Sequence, residues 1–169
     1  MMQKEITRTN NTRNCQKIKL FKNGYHQRLE SDIPLFGDVR WAYLPELEGS
    51  EHIQQGLRPV LIVSNDANNK ALNGNVHVIP FTSKNKKYIP THVYFPRGTG
   101  GLKVNSILLA ECERQIPKCY IYEKTGSIRN DKEIMDLVIQ AIMIQHGFDN
   151  LFDNLIKLNK RLAFSSNLG

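Results

Sequence analysis

Cysteine is scarce and odd in number. Cys15, Cys112 and Cys119 are the only three in 169 residues, and none stands in a CxxC pair. That pattern argues against a disulfide framework or a structural zinc knuckle and favours a reducing compartment. No uncharged apolar run is long enough to span a bilayer, and residues 1–19 are polar and basic, without the apolar centre of a secretory signal. The expectation is a cytoplasmic chain with no membrane attachment. Also missing are a Gly-rich phosphate loop ending in Lys-Ser/Thr and any His/Cys/Asp/Glu cluster at catalytic metal spacing. Nucleotide hydrolysis and metallo-nuclease chemistry lack support, so no metal and no cofactor is expected. Acid is under-represented too: 16 Asp and Glu face 23 Lys and Arg, for a formal net charge of +7. A surface with that balance attracts polyanions such as nucleic acid.

What is present fits one domain with tails, because 169 residues at 40% hydrophobic content can bury a single ordinary core. Residues 1–30 hold seven positive and two negative side chains and little apolar periodicity, which reads as a basic arm over residues 1–35. From Asp38 to Leu44, Val39, Trp41 and Tyr43 alternate on one side of a predicted strand that Pro45 ends. A polar loop is expected over residues 46–57, then core strands over 59–64 and 76–81, separated by a turn segment beginning at Asn65-Asp66. Residues 91–95 and 105–111 also read as strands, with a Gly-rich turn between them. The period then changes: Ile134, Leu137, Val138, Ala141 and Ile142 recur at helical spacing. Asn130 with Glu133 offers a capping box, and Gly147 offers a stop. Several short strands followed by one helix imply a mainly β barrel or sandwich with a C-terminal α-helix, and residues 149–169 read as a tail.

A set of short motifs runs along this frame in a specific order. Gly37-Asp38-Val39 opens the first strand, and Gly49-Ser50-Glu51 lies in the loop. Arg58-Pro59-Val60-Leu61-Ile62-Val63 leads to Asn65-Asp66, then Pro80-Phe81-Thr82-Ser83, Pro90-Thr91-His92-Val93 and Ser106-Ile107-Leu108-Leu109. Glu111, Arg114 and Ile116 follow. In that order the chain resembles the MazF/PemK toxin family over residues 36–148, which implies a small SH3-like or CcdB-like β-barrel. Cys112 stands where the family usually has Gln, Glu113 replaces an apolar residue, and Gln115 replaces Thr. The loop with His52-Ile53-Gln54-Gln55 is longer than usual for the family.

The resemblance implies a sequence-selective endoribonuclease that cuts single-stranded RNA without metal, by attack of the RNA's own 2′-hydroxyl. Such a site must align the attack and stabilise the extra charge on phosphorus. Arg58, with a planar and permanently charged fork, and Thr82, with a hydroxyl at a strand end, are the expected catalytic residues. Ser50, Glu51, Ser83, Glu111 and Arg114 are the expected RNA-binding residues. Two histidines, His52 and His92, could also run acid–base cleavage, although a strand histidine is more often structural. The resemblance further implies a homodimer and a cognate antitoxin that neutralises the toxin. Two alternatives remain open: a barrel that binds RNA or antitoxin without cutting, and a CcdB-like gyrase poison.

Overall fold

The computed structural model describes residues 33–46, 49, 54–71, 74–148 and 150–151. Ser50, Glu51 and His52, nearly all of the expected arm, and the tail apart from residues 150 and 151 lie outside the described residues.

Among the described residues, seven strands and two α-helices follow in order: β1 (Asp38–Leu44), β2 (Gly56–Ile62), α1 (Asp66–Lys70), β3 (Asn75–Thr82), β4 (His92–Phe95), β5 (Ser106–Leu109), β6 (Arg114–Pro117), β7 (Ile121–Ser127) and α2 (Lys132–Gln145). Short 3-10 turns cover Thr99–Gly101, Ala110–Cys112 and Lys118–Tyr120. The strands form one sheet in the order β4-β5-β3-β2-β1-β7, with β6 also paired to β3, and every pairing is antiparallel. The sheet is barrel-like, but its ladder is not closed: β4 and β7 each have one hydrogen-bonded neighbour.

Period-two alternation explains the core. Leu61, Ile79, Phe81 and Leu108 fall in one buried cluster with Val138 and Ala141 of α2, whereas Val60, Ile62, Val76 and Val78 fall in a second with Ile116 and Ile121. A sheet covered on both faces accounts for the unbroken apolar runs of β2 and β3. β1 departs from the expected one-sided pattern. It lies between β2 and β7, two register shifts interrupt its pairing with β7, and Asp38, Val39, Arg40, Ala42 and Leu44 are all buried. The buried charges are paired. Asp38 Oδ2 accepts from Arg40 Nη2 at 2.9 Å and from the Leu35 N–H at 3.1 Å, and Asp38 Oδ1 meets Lys124 Nζ at 2.7 Å. Without those partners a carboxylate could not be held in the core.

Two other expectations need correction. The N-cap of α2 is Asp131, whose carboxylate accepts from Ile134 N–H at 3.2 Å, rather than Asn130. Of the two described cysteines, Cys119 is disulfide-bonded, against the reading of the cysteine count and spacing, and Cys112 is a free thiol. The stop at Gly147 holds: α2 ends at Gln145 and Gly147 takes φ +73.

One close backbone approach shapes the molecule next to its main cavity. A Cβ on Gly126 of β7 would sit 2.5 Å from the Gly100 carbonyl, and one on Gly101 would sit 2.1 Å from the Thr125 carbonyl oxygen. Glycine at both positions lets the turn after β4 lie directly on β7. Thr125 Oγ1 reaches the Gly100 carbonyl oxygen across this contact at 3.3 Å and Val39 O of β1 at 3.0 Å.

Candidate active site

Arg58 and Thr82 come from neighbouring strands, β2 and β3, and line one cavity. The β2–β3 ladder pairs Val60 with Pro80. The ladder ends there, and Thr82 pairs with Ile107 of β5. Arg58 is partly buried, and its fork is held locally. Nε donates to Gln55 O at 2.9 Å, Nη2 donates to the same carbonyl, and Nη1 donates to Gln54 Oε1. Burial lowers the Arg58 pKa from its usual value, partly offset by Cys112. A guanidinium starts so high that it stays charged at neutral pH. Thr82 is buried, and its Oγ1 accepts from the Lys84 N–H at 3.2 Å. A hydroxyl can accept and donate together, so its hydrogen remains available to an anion.

Arg114 comes from β6, where it pairs with Val78, an even number of residues along β3 from Thr82 and therefore on the same face. Its Nη1 donates to Pro45 O at 3.1 Å, while Nε and Nη2 are buried without a partner among the described residues. Its pKa is lowered first by burial and then by the nearby charge of Arg58. The site thus holds two neighbouring guanidiniums, neither bonded to a carboxylate among the described residues. Cys112 lies beside both. Burial, then Glu111, raises its thiol pKa, so it is a neutral neighbour rather than a nucleophile.

Glu111 has a different place from the one expected. Its two carboxylate oxygens accept from Thr91 Oγ1 and meet His92 Nε2, both at 2.9 Å, which ties the start of β4 to the turn after β5. That bonding gives Glu111 an anchoring geometry, and it accounts for His92 as a partner of this carboxylate. Glu113 likewise meets His77 Nδ1 at 3.3 Å and His146 Nε2 at 2.9 Å.

A cavity of about 710 Å³ opens beside Arg58, Thr82 and Ser83. Lys84, Lys86 and Lys103 also line it, as do Trp41, Leu57 and Val104. Among the described lining residues there are four cations and no acid. Sequence reasoning missed Trp41 and the three lysines as site residues. The run Ser83-Lys84-Asn85-Lys86-Lys87 immediately after Thr82 was a usable signal, whereas Lys103 arrives only through the glycine contact with β7. Arg58, Thr82, Ser83 and Arg114 are gathered; Glu111 is turned to His92.

Comparison with known proteins gives the family of the chain. Residues 36–146 match the sequence model of the PemK-like, MazF-like toxins of type II toxin–antitoxin systems. A curated relative, the endoribonuclease MazF of Staphylococcus saprophyticus, is 37% identical over 116 residues, covering 68% of this chain and 92% of that protein. Among solved structures, MazF from Deinococcus radiodurans superposes with a TM-score of 0.58 at 26% identity, covering 69% of this chain and 99% of that one. The toxin of a MazE–MazF complex from the same organism gives 0.53 at 24% identity, covering 69% and 98%. A mycobacterial endoribonuclease in complex with its cognate antitoxin gives 0.52 at 23%, covering 68% and 95%; these last two likenesses speak to the fold. A chain that shares this sheet and helix, matches the family model across residues 36–146, and is 37% identical to a named MazF over nearly all of that protein belongs to the PemK-like, MazF-like toxin family.

Proposed function

We propose that this chain is a sequence-selective, metal-independent endoribonuclease toxin that cuts single-stranded RNA, so stopping translation and growth until a cognate antitoxin covers the site. The observation that carries the reading is that Arg58 and Thr82 line one cavity whose described lining has four cations and no acid, with the charge of Arg114 close to Arg58.

The chemistry needs no external nucleophile. The 2′-oxygen attacks the adjacent phosphorus, a P–O2′ bond forms and the P–O5′ bond breaks. The 2′-hydroxyl proton leaves to solvent and the departing 5′-oxygen gains one, giving a 2′,3′-cyclic phosphate and a 5′-hydroxyl. Charge builds on the non-bridging oxygens, and there the free N–H groups of Arg58 and the donors of Arg114 act as preorganised stabilisers. The guanidinium serves as a charge partner, because its high pKa opposes proton abstraction. Thr82 donates its hydroxyl hydrogen to hold the phosphate in line, and Ser83 extends that contact. Ser50 and Glu51, which precede Arg58 in the sequence and lie outside the described residues, contribute RNA contacts; Glu111 acts by anchoring the start of β4.

A cytoplasmic homodimer, with RNA and antitoxin as competing partners of one basic surface, completes the reading. The toxin domain spans residues 36–148, and the arm over 1–35 adds non-specific attraction to RNA. The test is to incubate the pure protein with a long RNA in excess EDTA and map the new ends. Discrete cuts bearing cyclic phosphates are expected. Binding without cleavage moves the chain to the non-cutting alternative, and loss of cleavage that divalent ions restore overturns metal independence.

A further inference from the structure

The cavity beside Arg58 is not lined by phosphate-binding groups alone. Trp41 is partly exposed, and its strand partner is Pro59, the neighbour of Arg58. Alternation along β1 and β2 sets Trp41 and Pro59 on the opposite side of β2 from Arg58, yet all three line the same cavity. The other lining aromatic, Phe81, is only 2% exposed and belongs to the core. Leu57 and Val104, half-exposed, add apolar wall, while Lys84, Lys86 and Lys103 supply charge. An apolar aromatic face framed by lysines and lacking acid among its described residues is the composition that receives single-stranded nucleic acid, with bases stacked on the ring and phosphates along the cations. At about 710 Å³ the space suits a nucleotide-sized group rather than a duplex.

We propose that Trp41 is a base-stacking platform for a nucleotide flanking the cut, a specificity-determining contact on the far side of β2 from Arg58 and Thr82. The inference rests on the RNA-cleaving reading. The RNA strand passes over the end of β2, with the scissile phosphate at Arg58 and a neighbouring base on the indole. Stacking of this kind tolerates any base but ranks them by ring area, so Trp41 biases cut-site choice without contacting the reacting atoms.

The chain makes the experiment direct, because Trp41 is its only tryptophan. Its emission, excited at the red edge where tyrosine does not absorb, is followed while a random-sequence, fully 2′-O-methylated RNA pool is added. That RNA carries bases and phosphates but no 2′-hydroxyl to react. Binding is measured separately by anisotropy of an end-labelled pool. An abasic oligonucleotide and an acidic peptide of equal charge are the controls. Saturable change of Trp41 emission with the RNA, and little with either control, is the expected result. Binding by anisotropy with unchanged emission overturns the stacking platform and leaves the RNA reading intact. Equal response to the abasic strand or the peptide assigns the cavity to anions in general and also overturns it. Absence of RNA binding removes both readings. Trp41→Leu adds a second readout: affinity falls on the order of tenfold and the ranking of cut sites shifts. An unchanged cut-site ranking in a variant of native circular dichroism overturns the proposal, and the wild-type titration decides it even if the variant does not fold.

Discussion

Replacing Arg58 by lysine separates charge from geometry. The guanidinium carries five N–H donors, and three bonds run from its Nε, Nη1 and Nη2 to Gln55 O and Gln54 Oε1. Those bonds immobilise the plane and leave two N–H groups in fixed relation, suited to two oxygens of one phosphate. Lysine keeps one positive charge but loses the planar fork and its anchoring to the Gln55 carbonyl and the Gln54 side chain. Arg114 remains in the Arg58→Lys protein, so attraction for RNA persists and the ground-state affinity should change only a few-fold. The transition state is different, because its additional charge meets donors that must now be reoriented. Removal of one preorganised donor of this kind costs about 10²–10³ in rate, or about 3–4 kcal/mol. The assay is single-turnover cleavage of a mapped RNA with enzyme in excess, alongside anisotropy for binding and circular dichroism for folding. A folded Arg58→Lys protein cutting at near wild-type rate would refute the role of the fork and reduce Arg58 to an electrostatic attractor.

Three predictions concern the scaffold. Asp38→Ala removes the acceptor shared by Arg40, Lys124 and the Leu35 N–H and leaves the Arg40 charge, itself buried, without that acceptor; urea titration should show a loss of about 3–5 kcal/mol. A loss below 1 kcal/mol would mean that the cluster contributes little. Gly126→Ala drives a Cβ into the Gly100 backbone and should lower the melting temperature and disturb the cavity wall at Gly101–Lys103, whereas Gly74→Ala, where nothing lies within 4 Å, should be silent. Equal effects of the two substitutions in thermal melts would contradict the close packing. Tyr122 is buried, and that burial, with Tyr120 and Tyr43 nearby, pushes its pKa up to about 12. The unfolded chain ionises this phenol near 10, so its contribution is intact below that pH and is lost as pH rises toward 12, by up to about 2–3 kcal/mol. Ultraviolet titration should find Tyr122 ionising late, with Tyr120 also raised by burial, and Tyr122→Phe should flatten the alkaline loss; an unchanged alkaline profile would count against it.

Much of the fold was legible because the signals were local. Alternation and apolar runs marked β2, β3, β4 and β5, helical spacing marked α2, and Gly147 marked its end within two residues. The N-cap moved one place, from Asn130 to Asp131, because both side chains can cap and only the packed helix selects between them. β6 and β7 escaped notice. Arg-Gln-Ile-Pro and the polar Glu-Lys-Thr-Gly stretch are weak strand formers alone and become strands by pairing with β3 and β1. Family membership and the identity of Arg58 and Thr82 as candidates were also carried by the sequence, since ordered short motifs survive without any knowledge of their contacts. What only the tertiary structure decided is how those residues meet. Arg58 and Thr82 come to line one cavity, β6 brings Arg114 near Arg58, and Glu111 turns to His92. Trp41 and Lys103, separated by 62 positions in the chain, come to line one cavity. Hydrogen-bond register and backbone contact between remote segments are properties of pairs, and no window along a single strand contains them.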